Sequence, residues 1–339
     1  MPVPGHVNPT LPVVRELVRR GHRVRYFTSD ALSGAVATAG AEVVSYGEAV
    51  GPEVMRPPRS FAGLARETVA LGRILLPAVL DELRADEPDL VVYDSMCTWG
   101  YEAVQHRRGF CFTATVALHP SFLDEAPAEF VHRGEHPTAV FTSRDFQPRP
   151  ELFAGDVRWV GYPPAGAPGA PGAPGAADRP LAYAALGTLF NERPEVFRAI
   201  AQALHGEVVM AVGRADPRAI APLPPRVRAV PWVDDQAALL RRARLFVSHG
   251  GMNSVSEALC AGSPLLVLPQ TAEQAVNARR VAELGAGRIL FDDQPPASAI
   301  RAEAEAVLAS DAAARAAALG RRLAAPGPGA AADAVKAAL

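Results

Sequence analysis

The chain has 339 residues, which is enough for two domains of ordinary size. Hydrophobic residues make up 49% of it and charged residues 21%, a composition typical of a globular protein and not of a disordered one. The formal net charge of −2 excludes the broad positive surface expected of a nucleic-acid-binding protein.

Cysteine usage and hydropathy indicate the compartment. Cys97, Cys111 and Cys260 are odd in number and lack metal-like spacing, so the sequence offers no disulfide framework and favours a reducing environment. No apolar run approaches the roughly 20 residues of a membrane span, and no signal peptide precedes the first helix. We therefore expect a cytoplasmic protein without a membrane span; its oligomeric state is not readable from the sequence.

The first half of the chain, residues 1–162, alternates helix and strand signals. Asn8 followed by Pro9 predicts a helix start with Asn8 as N-cap, and apolar residues then recur at helical spacing up to Gly21. A short unalternating apolar run ends at Asp94 and is typical of a parallel strand that is covered on both faces. The predicted elements are, in order, a helix from residue 8, a strand over 24–27, a helix over 61–85 and strands over 90–93, 110–116 and 139–142.

Residues 163–180 read PPAGAPGAPGAPGAADRP. This stretch cannot build a core, and its proline content favours a semi-extended backbone, so we interpret it as a linker. A loop inside one domain is the alternative, which is disfavoured because structureless loops of this length are uncommon.

The second half, residues 181–339, repeats the alternation. The predicted elements are strands over 181–186, 208–212, 228–232, 245–248 and 265–269 and helices over 197–204, 236–242, 254–260 and 275–284. Such alternation predicts an α/β protein with one parallel sheet, flanked by helices, in each half. Ligands bind beyond the carboxyl ends of the strands in sheets of this kind. The residues in such places are His6, Asp94, Gly187, His249 and Glu273.

The segment over 249–257 reads HGGMNSVSE and lies between a predicted strand and a predicted helix. Its glycines let backbone amides approach an anion, and a helix amino terminus carries partial positive charge. Asn253 and Ser254 add side-chain donors, while Glu257, one turn later, suits the vicinal hydroxyls of a ribose. By itself, this segment is explained at least as well by a tight turn and a helix cap.

Gly187 and Thr188 follow another predicted strand and offer a second phosphate contact, although a simple turn explains them equally well. The sequence has no D-x-D metal motif, and the adjacent aspartate pairs at 234–235 and 292–293 are interpreted as caps and turns. We therefore expect no cofactor and no required metal.

His6 precedes the first predicted helix, and Asp94 ends a predicted strand. A neutral imidazole in that place can take the proton of an acceptor hydroxyl as general base. A carboxylate can fix the tautomer of the imidazole and stabilise the imidazolium that forms. By themselves, a surface histidine and a capping aspartate are the simpler interpretation.

Taken together, these motifs resemble the nucleotide-sugar signature of the UDP-glycosyltransferase superfamily. The resemblance runs from Trp232 through HGGMNSVSE and the Gly-Ser-Pro of 262–264 to Glu273 and Gln274. The segments that resemble the macrolide glycosyltransferases of antibiotic-producing bacteria are GHVNPTLP (5–12), FTSRDFQP (141–148) and LGTLFNERPEVF (186–197). The resemblance covers nearly the whole chain, and the combined motifs are highly specific.

The resemblance implies a GT-B fold, with two facing Rossmann-like domains at 1–162 for the acceptor and 181–339 for the nucleotide sugar. It implies an inverting O-glycosyltransferase that moves a hexose or deoxyhexose from a UDP- or TDP-sugar to a small hydrophobic acceptor, a macrolide, polyketide or phenolic hydroxyl. It makes His6 the catalytic base and Asp94 its partner. The implied donor-binding residues are Gly187, Thr188, Trp232, Val233, Gln236, His249, Gly251, Asn253, Ser254, Glu257, Glu273 and Gln274.

Within that set, the resemblance implies that Trp232 stacks on the base and that Glu257 holds the ribose hydroxyls. The sugar hydroxyls would be bound by Glu273 and Gln274. The diphosphate would be bound by Thr188, His249, Asn253 and Ser254.

The sequence also departs from the family pattern. The family has a strand before Gly5 and a longer helical region within 116–139, and it has Val-Pro-Gln after Trp232, where this chain has Val-Asp-Asp-Gln with Gln236 last. Glu273 stands where aspartate is usual. The missing strand motivates an alternative function, a catalytically weak or inactive nucleotide-sugar-binding helper protein. The second alternative is a nucleotide-sugar epimerase, which would need acid and base residues near the sugar and not a His–Asp pair on the acceptor side. The sequence therefore favours transfer over epimerisation.

Overall fold

The computed structural model describes residues 1–47, 61–122, 128–153, 155, 157–162, 181–187 and 191–339. The chain divides into two compact units. Unit 1 comprises Met1–Ala167 and Ala324–Leu339, and unit 2 comprises Pro168–Leu323. The predicted linker over 163–180 and the predicted donor residue Thr188 lie outside the described residues.

Unit 1 is built from parallel strands connected by helices. Its helices up to residue 162 are α1 (Pro4–Val7), α2 (Leu11–Arg19), α3 (Asp30–Thr38), α4 (Phe61–Ala85) and α5 (Thr98–Ala103). Its strands are β1 (Arg25–Thr28), β2 (Glu42–Ser45), β3 (Val91–Asp94), β4 (Gly109–Thr113), β5 (Thr138–Val140) and β6 (Val157–Trp159). All the strand pairs are parallel, as the alternation predicted.

The first helical segment begins earlier than the sequence predicted. Helix α1 starts at Pro4, and a 3-10 turn over Asn8–Thr10 leads directly into α2. Asn8 has helical backbone angles (φ −55°, ψ −43°), so the prediction that it is the N-cap of the helix is wrong. The reason is that prolines occupy the first turn of each successive segment, where a missing N–H is tolerated. As a result, His6 lies within α1 and not in front of the first helix.

The sheet of unit 1 is in two pieces. Strands β1 and β2 pair with each other, while β3, β4, β5 and β6 form a separate four-stranded sheet in that order. Residues 1–47, all described, contain no strand before β1. Helices α4 and α5 connect the two pieces, because Phe27 of β1 and Val91 of β3 both pack against their cluster around Leu71 and Trp99.

Unit 2 has one continuous sheet with the strand order β12-β11-β10-β7-β8-β9, all parallel. Its strands are β7 (Leu181–Ala185), β8 (Glu207–Ala211), β9 (Val227–Val230), β10 (Ala243–Ser248), β11 (Leu265–Val267) and β12 (Gly287–Ile289). Its helices are α6 (Pro194–Ala203), α7 (Pro217–Ile220), α8 (Gln236–Arg242), α9 (Met252–Ala261), α10 (Ala272–Glu283), α11 (Ala297–Leu308) and α12 (Ala312–Ala324). The central strands β7 and β10 are almost wholly buried, so side chains at their carboxyl ends are firmly placed.

The last helix, α13 (Gly327–Lys336), belongs to unit 1, although the predicted second domain extended to residue 339. Ala332 and Val335 of α13 are buried in the cluster that contains Val13 and Leu17 of α2. Arg20, just after α2, donates to Asp333 at 2.5 Å. The alternation of helices and strands gave no signal for this return of the chain, because it depends on tertiary packing alone.

Within the described parts of the chain, no helix combines the length and apolarity that a membrane span requires.

Candidate active site

A hydrogen-bonded His–Asp pair lies in unit 1, where α1 meets the carboxyl end of β3. Nδ1 of His6 is 2.7 Å from Oδ2 of Asp94, and the side chains are 17% and 10% exposed. The other carboxylate oxygen, Oδ1, accepts the Met96 backbone N–H at 2.9 Å. Both side chains of the pair are therefore mostly buried, with a small part of each exposed.

The electrostatics of this pair fix the tautomer of the imidazole. Burial by itself raises the pKa of Asp94, but the charge of His6, the charge of the amino terminus at Met1, the hydrogen bond with His6 and the Met96 amide together hold that pKa below its ordinary value. Asp94 is therefore ionised at neutral pH, and an ionised carboxylate only accepts hydrogen bonds. The proton of a neutral His6 consequently lies on Nδ1, which leaves Nε2 as a proton acceptor.

Two small cavities adjoin this end of the unit 1 sheet. One, of about 240 Å³ including its open mouth, is lined by Ser95, Met96, residues that follow β4, Phe130 and His132. The other, of about 390 Å³, has Tyr93 in its wall and shares Ser95 and His132 with the first. Residues 123–127 of the predicted acceptor region lie outside the described residues.

In unit 2, His249 lies between two glycines at the carboxyl ends of β7 and β10. Gly187 has a φ of +82°, and a Cβ on it would be 2.7 Å from Nε2 of His249. A Cβ on Gly251 would be 2.5 Å from the same atom. We call these three residues the glycine cradle. Because any side chain at either glycine would displace the imidazole, the cradle requires glycine at both positions.

His249 is neutral in this environment. Burial lowers the pKa of its imidazole to about 4, and a backbone contact with Ala185 offsets only part of that effect. At physiological pH the ring is therefore a neutral hydrogen-bonding group and not a cation. Unlike His6, it makes no hydrogen bond to a carboxylate within the described structure.

Helix α9 begins directly at the cradle. Its N-cap is Gly251, which has no side chain, so the first-turn N–H groups receive no side-chain cap from that position. Asn253 and Ser254 lie in this first turn and are half-buried. A buried strand, a glycine turn and an uncapped helix start form the arrangement that binds phosphate groups in other α/β proteins.

The residues predicted to bind the nucleoside lie on α8, on α9 and in the loop before α8. The Gln236 amide donates to Oε2 of Glu257 at 2.5 Å. Trp232 is 62% exposed, as a base-stacking platform requires, and Val233 beside it is half-buried. The sequence did not single out Tyr183, whose hydroxyl donates to Oε1 of Gln236 at 2.8 Å.

The residues predicted to bind the sugar start helix α10. Oε1 of Glu273 accepts from Asn277 at 2.7 Å, and the same amide nitrogen donates to the carbonyl of Gly250 at 2.9 Å. Buried Gln274 directs its side-chain oxygen to the backbone N–H of Gln270 at 2.8 Å. Asn277, which the sequence did not single out, thus connects Glu273 to the backbone of the segment that carries His249.

The aspartate pairs contribute caps and turns, as interpreted from the sequence. Asp235 is the N-cap of α8 and accepts from the Ala238 N–H at 2.7 Å, and Asp292 accepts from the Gln294 N–H at 2.8 Å. Among the residues that the structure describes, no group of three or more His, Cys, Asp or Glu side chains could hold a metal ion.

Comparison with known proteins gives consistent relatives along nearly the whole chain. The model of the C-terminal domain of erythromycin biosynthesis protein CIII-like proteins matches residues 195–337. NDP-glycosyltransferase YjiC of Bacillus subtilis is 32% identical over 91% of this chain and 87% of its own. Demethyllactenocin mycarosyltransferase of Streptomyces fradiae is 28% identical over 92% of this chain and 78% of its own.

A solved structure agrees with these relatives. The calicheamicin glycosyltransferase CalG4 superposes with a TM-score of 0.80 and 33% identity, covering 99% of this chain and 96% of its own. With the extent and identity of these matches, and with parallel sheets flanked by helices in both units, the chain belongs to the macrolide-type branch of the UDP-glycosyltransferase superfamily and is a nucleotide-sugar-dependent glycosyltransferase with the GT-B fold.

Proposed function

We propose that this enzyme transfers a hexose or deoxyhexose from a UDP- or TDP-sugar to the hydroxyl of a small hydrophobic natural product, with inversion at the anomeric carbon. The observation that carries the proposal is the 2.7 Å hydrogen bond between His6 Nδ1 and Asp94 Oδ2. It supplies a general base in unit 1, while the glycine cradle and α9 of unit 2 offer an anion-binding site.

On the acceptor side, Nε2 of His6 takes the proton of the attacking hydroxyl as the new glycosidic bond forms. Asp94 stabilises the imidazolium that results, so the developing charge is met inside the protein. The hydroxyl oxygen attacks the anomeric carbon from the face opposite the diphosphate, and the bond to the diphosphate breaks. A single displacement of this kind turns an α-linked donor into a β-linked product.

On the donor side, the leaving nucleoside diphosphate gains negative charge. Neutral His249, the first-turn amides of α9 and the side chains of Asn253 and Ser254 are the groups that stabilise it. We assign binding of the nucleobase to Trp232 and of the ribose hydroxyls to Glu257. The transferred sugar is assigned to Glu273 and Gln274. Because these groups carry the leaving-group charge, the proposal needs no metal or other cofactor.

The acceptor class rests on the lining of the cavity next to Asp94. Met96, Val116, Leu118 and Phe130 give that cavity an apolar wall, while Ser95 and Thr113 provide hydroxyl groups. Relatives named for demethyllactenocin and oleandomycin, the latter 29% identical to this chain, support a natural-product acceptor.

The test is turnover of the full chain with UDP-glucose and with a TDP-deoxysugar, each offered with a panel of macrolide and phenolic acceptors. Released nucleotide and glycosylated product are measured by mass, and the anomeric configuration of the product by NMR coupling constants. We expect a β-glycoside from an α-linked donor. An α-glycoside would refute inversion, and donor binding with neither product nor free nucleotide would favour the helper-protein alternative.

A further inference from the structure

We propose that Tyr183 is a positioning residue for the donor: its hydroxyl fixes the side-chain amide of Gln236, and Gln236 fixes the Glu257 carboxylate for the ribose hydroxyls. This inference rests on the proposed function, because it concerns the same donor site. Tyr183 itself touches neither the donor nor the acceptor in this account and acts only through Gln236.

The ring of Tyr183 is held rigidly. It lies in the middle of β7, is 1% exposed, and stacks on Phe246 of the neighbouring strand β10 with ring centres 4.9 Å apart and planes 7° from parallel. A tyrosine side chain has only two torsions, and both are fixed by this packing. The position of the hydroxyl is therefore set by the central strands of unit 2.

The hydrogen bonds run in one direction from this hydroxyl. Tyr183 donates to Oε1 of Gln236 at 2.8 Å, and Nε2 of Gln236 donates to Oε2 of Glu257 at 2.5 Å. The two ends of the amide are not interchangeable, because a carboxylate only accepts and must therefore face Nε2. Oε1 then faces the tyrosine, which has to be the donor.

The tyrosine remains a donor at every working pH. Burial raises the pKa of Tyr183, and the charge of Glu257 raises it further, so the hydroxyl keeps its proton. The direction of the relay is consequently independent of pH in the range where the enzyme works.

Loss of the hydroxyl would leave the Gln236 carbonyl without this partner and its long side chain free to rotate. Glu257 would then lose a neighbour that holds its carboxylate in one orientation, and donor binding would have to order both side chains. The cost falls on recognition of the ribose hydroxyls. The glycine cradle and the start of α9 do not take part in the relay, so the diphosphate contacts are unaffected.

The test is Tyr183→Phe, which keeps the stacked ring and removes only the hydroxyl. Isothermal titration calorimetry on the full chain would use UDP, TDP, 2′,3′-dideoxy-UDP and pyrophosphate, which carry two, one, no and no ribose hydroxyls. We expect UDP to bind about fivefold to tenfold more weakly, in line with the loss of one hydrogen bond, and TDP to be weakened less. Dideoxy-UDP and pyrophosphate should bind as they do to the wild type.

Tyr46→Phe is the matched control. Tyr46 is a half-buried tyrosine of unit 1 whose hydroxyl accepts from Nε1 of Trp99 at 3.0 Å, so the same atom is removed outside unit 2. It should leave all four affinities unchanged. As a second variant, Gln236→Leu removes the middle of the relay, and adding Tyr183→Phe to it should cost no further affinity.

Unchanged UDP affinity in Tyr183→Phe would overturn the inference. Equal weakening of UDP and pyrophosphate would also overturn it, since that pattern indicates general damage to unit 2. A wild-type chain that binds neither UDP nor TDP would refute the proposed donor site itself, and the relay with it, which is a distinguishable result.

Discussion

Each unit carries a histidine at the carboxyl ends of its strands, but the two histidines have different surroundings. His6 is hydrogen bonded to Asp94, a carboxylate whose pKa is held below its ordinary value. His249 lies between Gly187 and Gly251, with its own pKa lowered to about 4 by burial. A histidine backed by an ionised carboxylate can take up a proton during a reaction, whereas one kept neutral by burial can only form hydrogen bonds.

The sheets that carry the two histidines also differ, because one is continuous and the other is in two pieces. Unit 2 places His249 at the end of β10, a central strand of a continuous six-stranded sheet. Unit 1 has its sheet in two pieces, and His6 is held by the short helix α1 and by its bond to Asp94. The continuous sheet of unit 2 suits a fixed anion site, whereas the base in unit 1 is oriented by its hydrogen bond to Asp94.

The largest effect is expected from Asp94→Asn. The amide cannot stabilise an imidazolium as a carboxylate does, so we expect kcat to fall by about 10²- to 10⁴-fold. The affinity for the nucleoside diphosphate should stay at the wild-type value, because its proposed site is in unit 2. Steady-state kinetics and calorimetry on the same preparation measure both quantities.

The control for Asp94→Asn is Asp89→Asn, which makes the same chemical change at an exposed position before the same strand. It should behave as the wild type. Turnover of Asp94→Asn at the wild-type rate would show that His6 needs no charged partner.

A smaller effect is expected from Gly187→Ala, which tests the surroundings of His249 in unit 2. The new Cβ would lie 2.7 Å from Nε2 of His249, on a backbone with a φ of +82°. We expect the affinity for UDP to fall by about tenfold or more, and unfolding of the chain to become easier by about 1 kcal/mol or more. Calorimetric titration and denaturant unfolding measure the two effects.

The control for Gly187→Ala is Gly21→Ala, which separates the effect of backbone strain from the effect of the contact with His249. Gly21 has a φ of +89° with nothing within 4 Å of the added Cβ, so it carries the backbone strain alone. It should lower stability but leave the nucleotide affinity intact. If both variants lost affinity equally, the role of the glycine cradle would be refuted.

The last of these predictions concerns the pH dependence of stability. The pKa of His249 is lowered from 6.5 to about 4, so the unfolded chain takes up the proton first as the pH falls. The free energy of unfolding should therefore decrease from about pH 6.5 down to about pH 4, by up to about 3 kcal/mol from this group. Above that window the contribution of His249 to the pH dependence vanishes.

His249→Gln should remove this part of the pH dependence, measured by urea unfolding at a series of pH values. His205→Gln, which changes an exposed histidine of the same unit, should leave the slope as it is in the wild type. An unaltered slope in His249→Gln would mean that its imidazole is not neutralised by burial.

The local patterns of the sequence predicted much of the fold. The helices α4 and α8 lie where the sequence predicted them, at 61–85 and 236–242. The three-residue strand Gly287–Ile289 was missed because so short a segment has no period to detect. The predicted start of the first helix was wrong because Asn8 followed by Pro9 fits an N-cap signal even when it lies inside a run of helical turns that each begin with proline.

The sequence predicted the residues of the candidate site that belong to local motifs. It did not predict those whose role depends on contacts between segments distant in the sequence. The family resemblance identified His6, Asp94 and the segment that carries His249, because these residues lie within or next to recognisable sequence motifs. Tyr183 has the pattern of a core strand residue, and its bond to Gln236 spans the sheet and a separate helix. No local signal distinguishes a buried tyrosine that positions a binding residue from one that only packs.

The measurement that tests the central claim most directly compares His6→Ala with the wild type, and with His22→Ala as another histidine of unit 1. Transfer from the preferred donor and the affinity for its nucleoside diphosphate are both determined. We expect His6→Ala to lose transfer by about 10²- to 10⁴-fold while binding the nucleotide unchanged. Transfer at the wild-type rate would contradict the assignment of His6 as the base, and so would a loss of transfer that is fully explained by lost nucleotide binding.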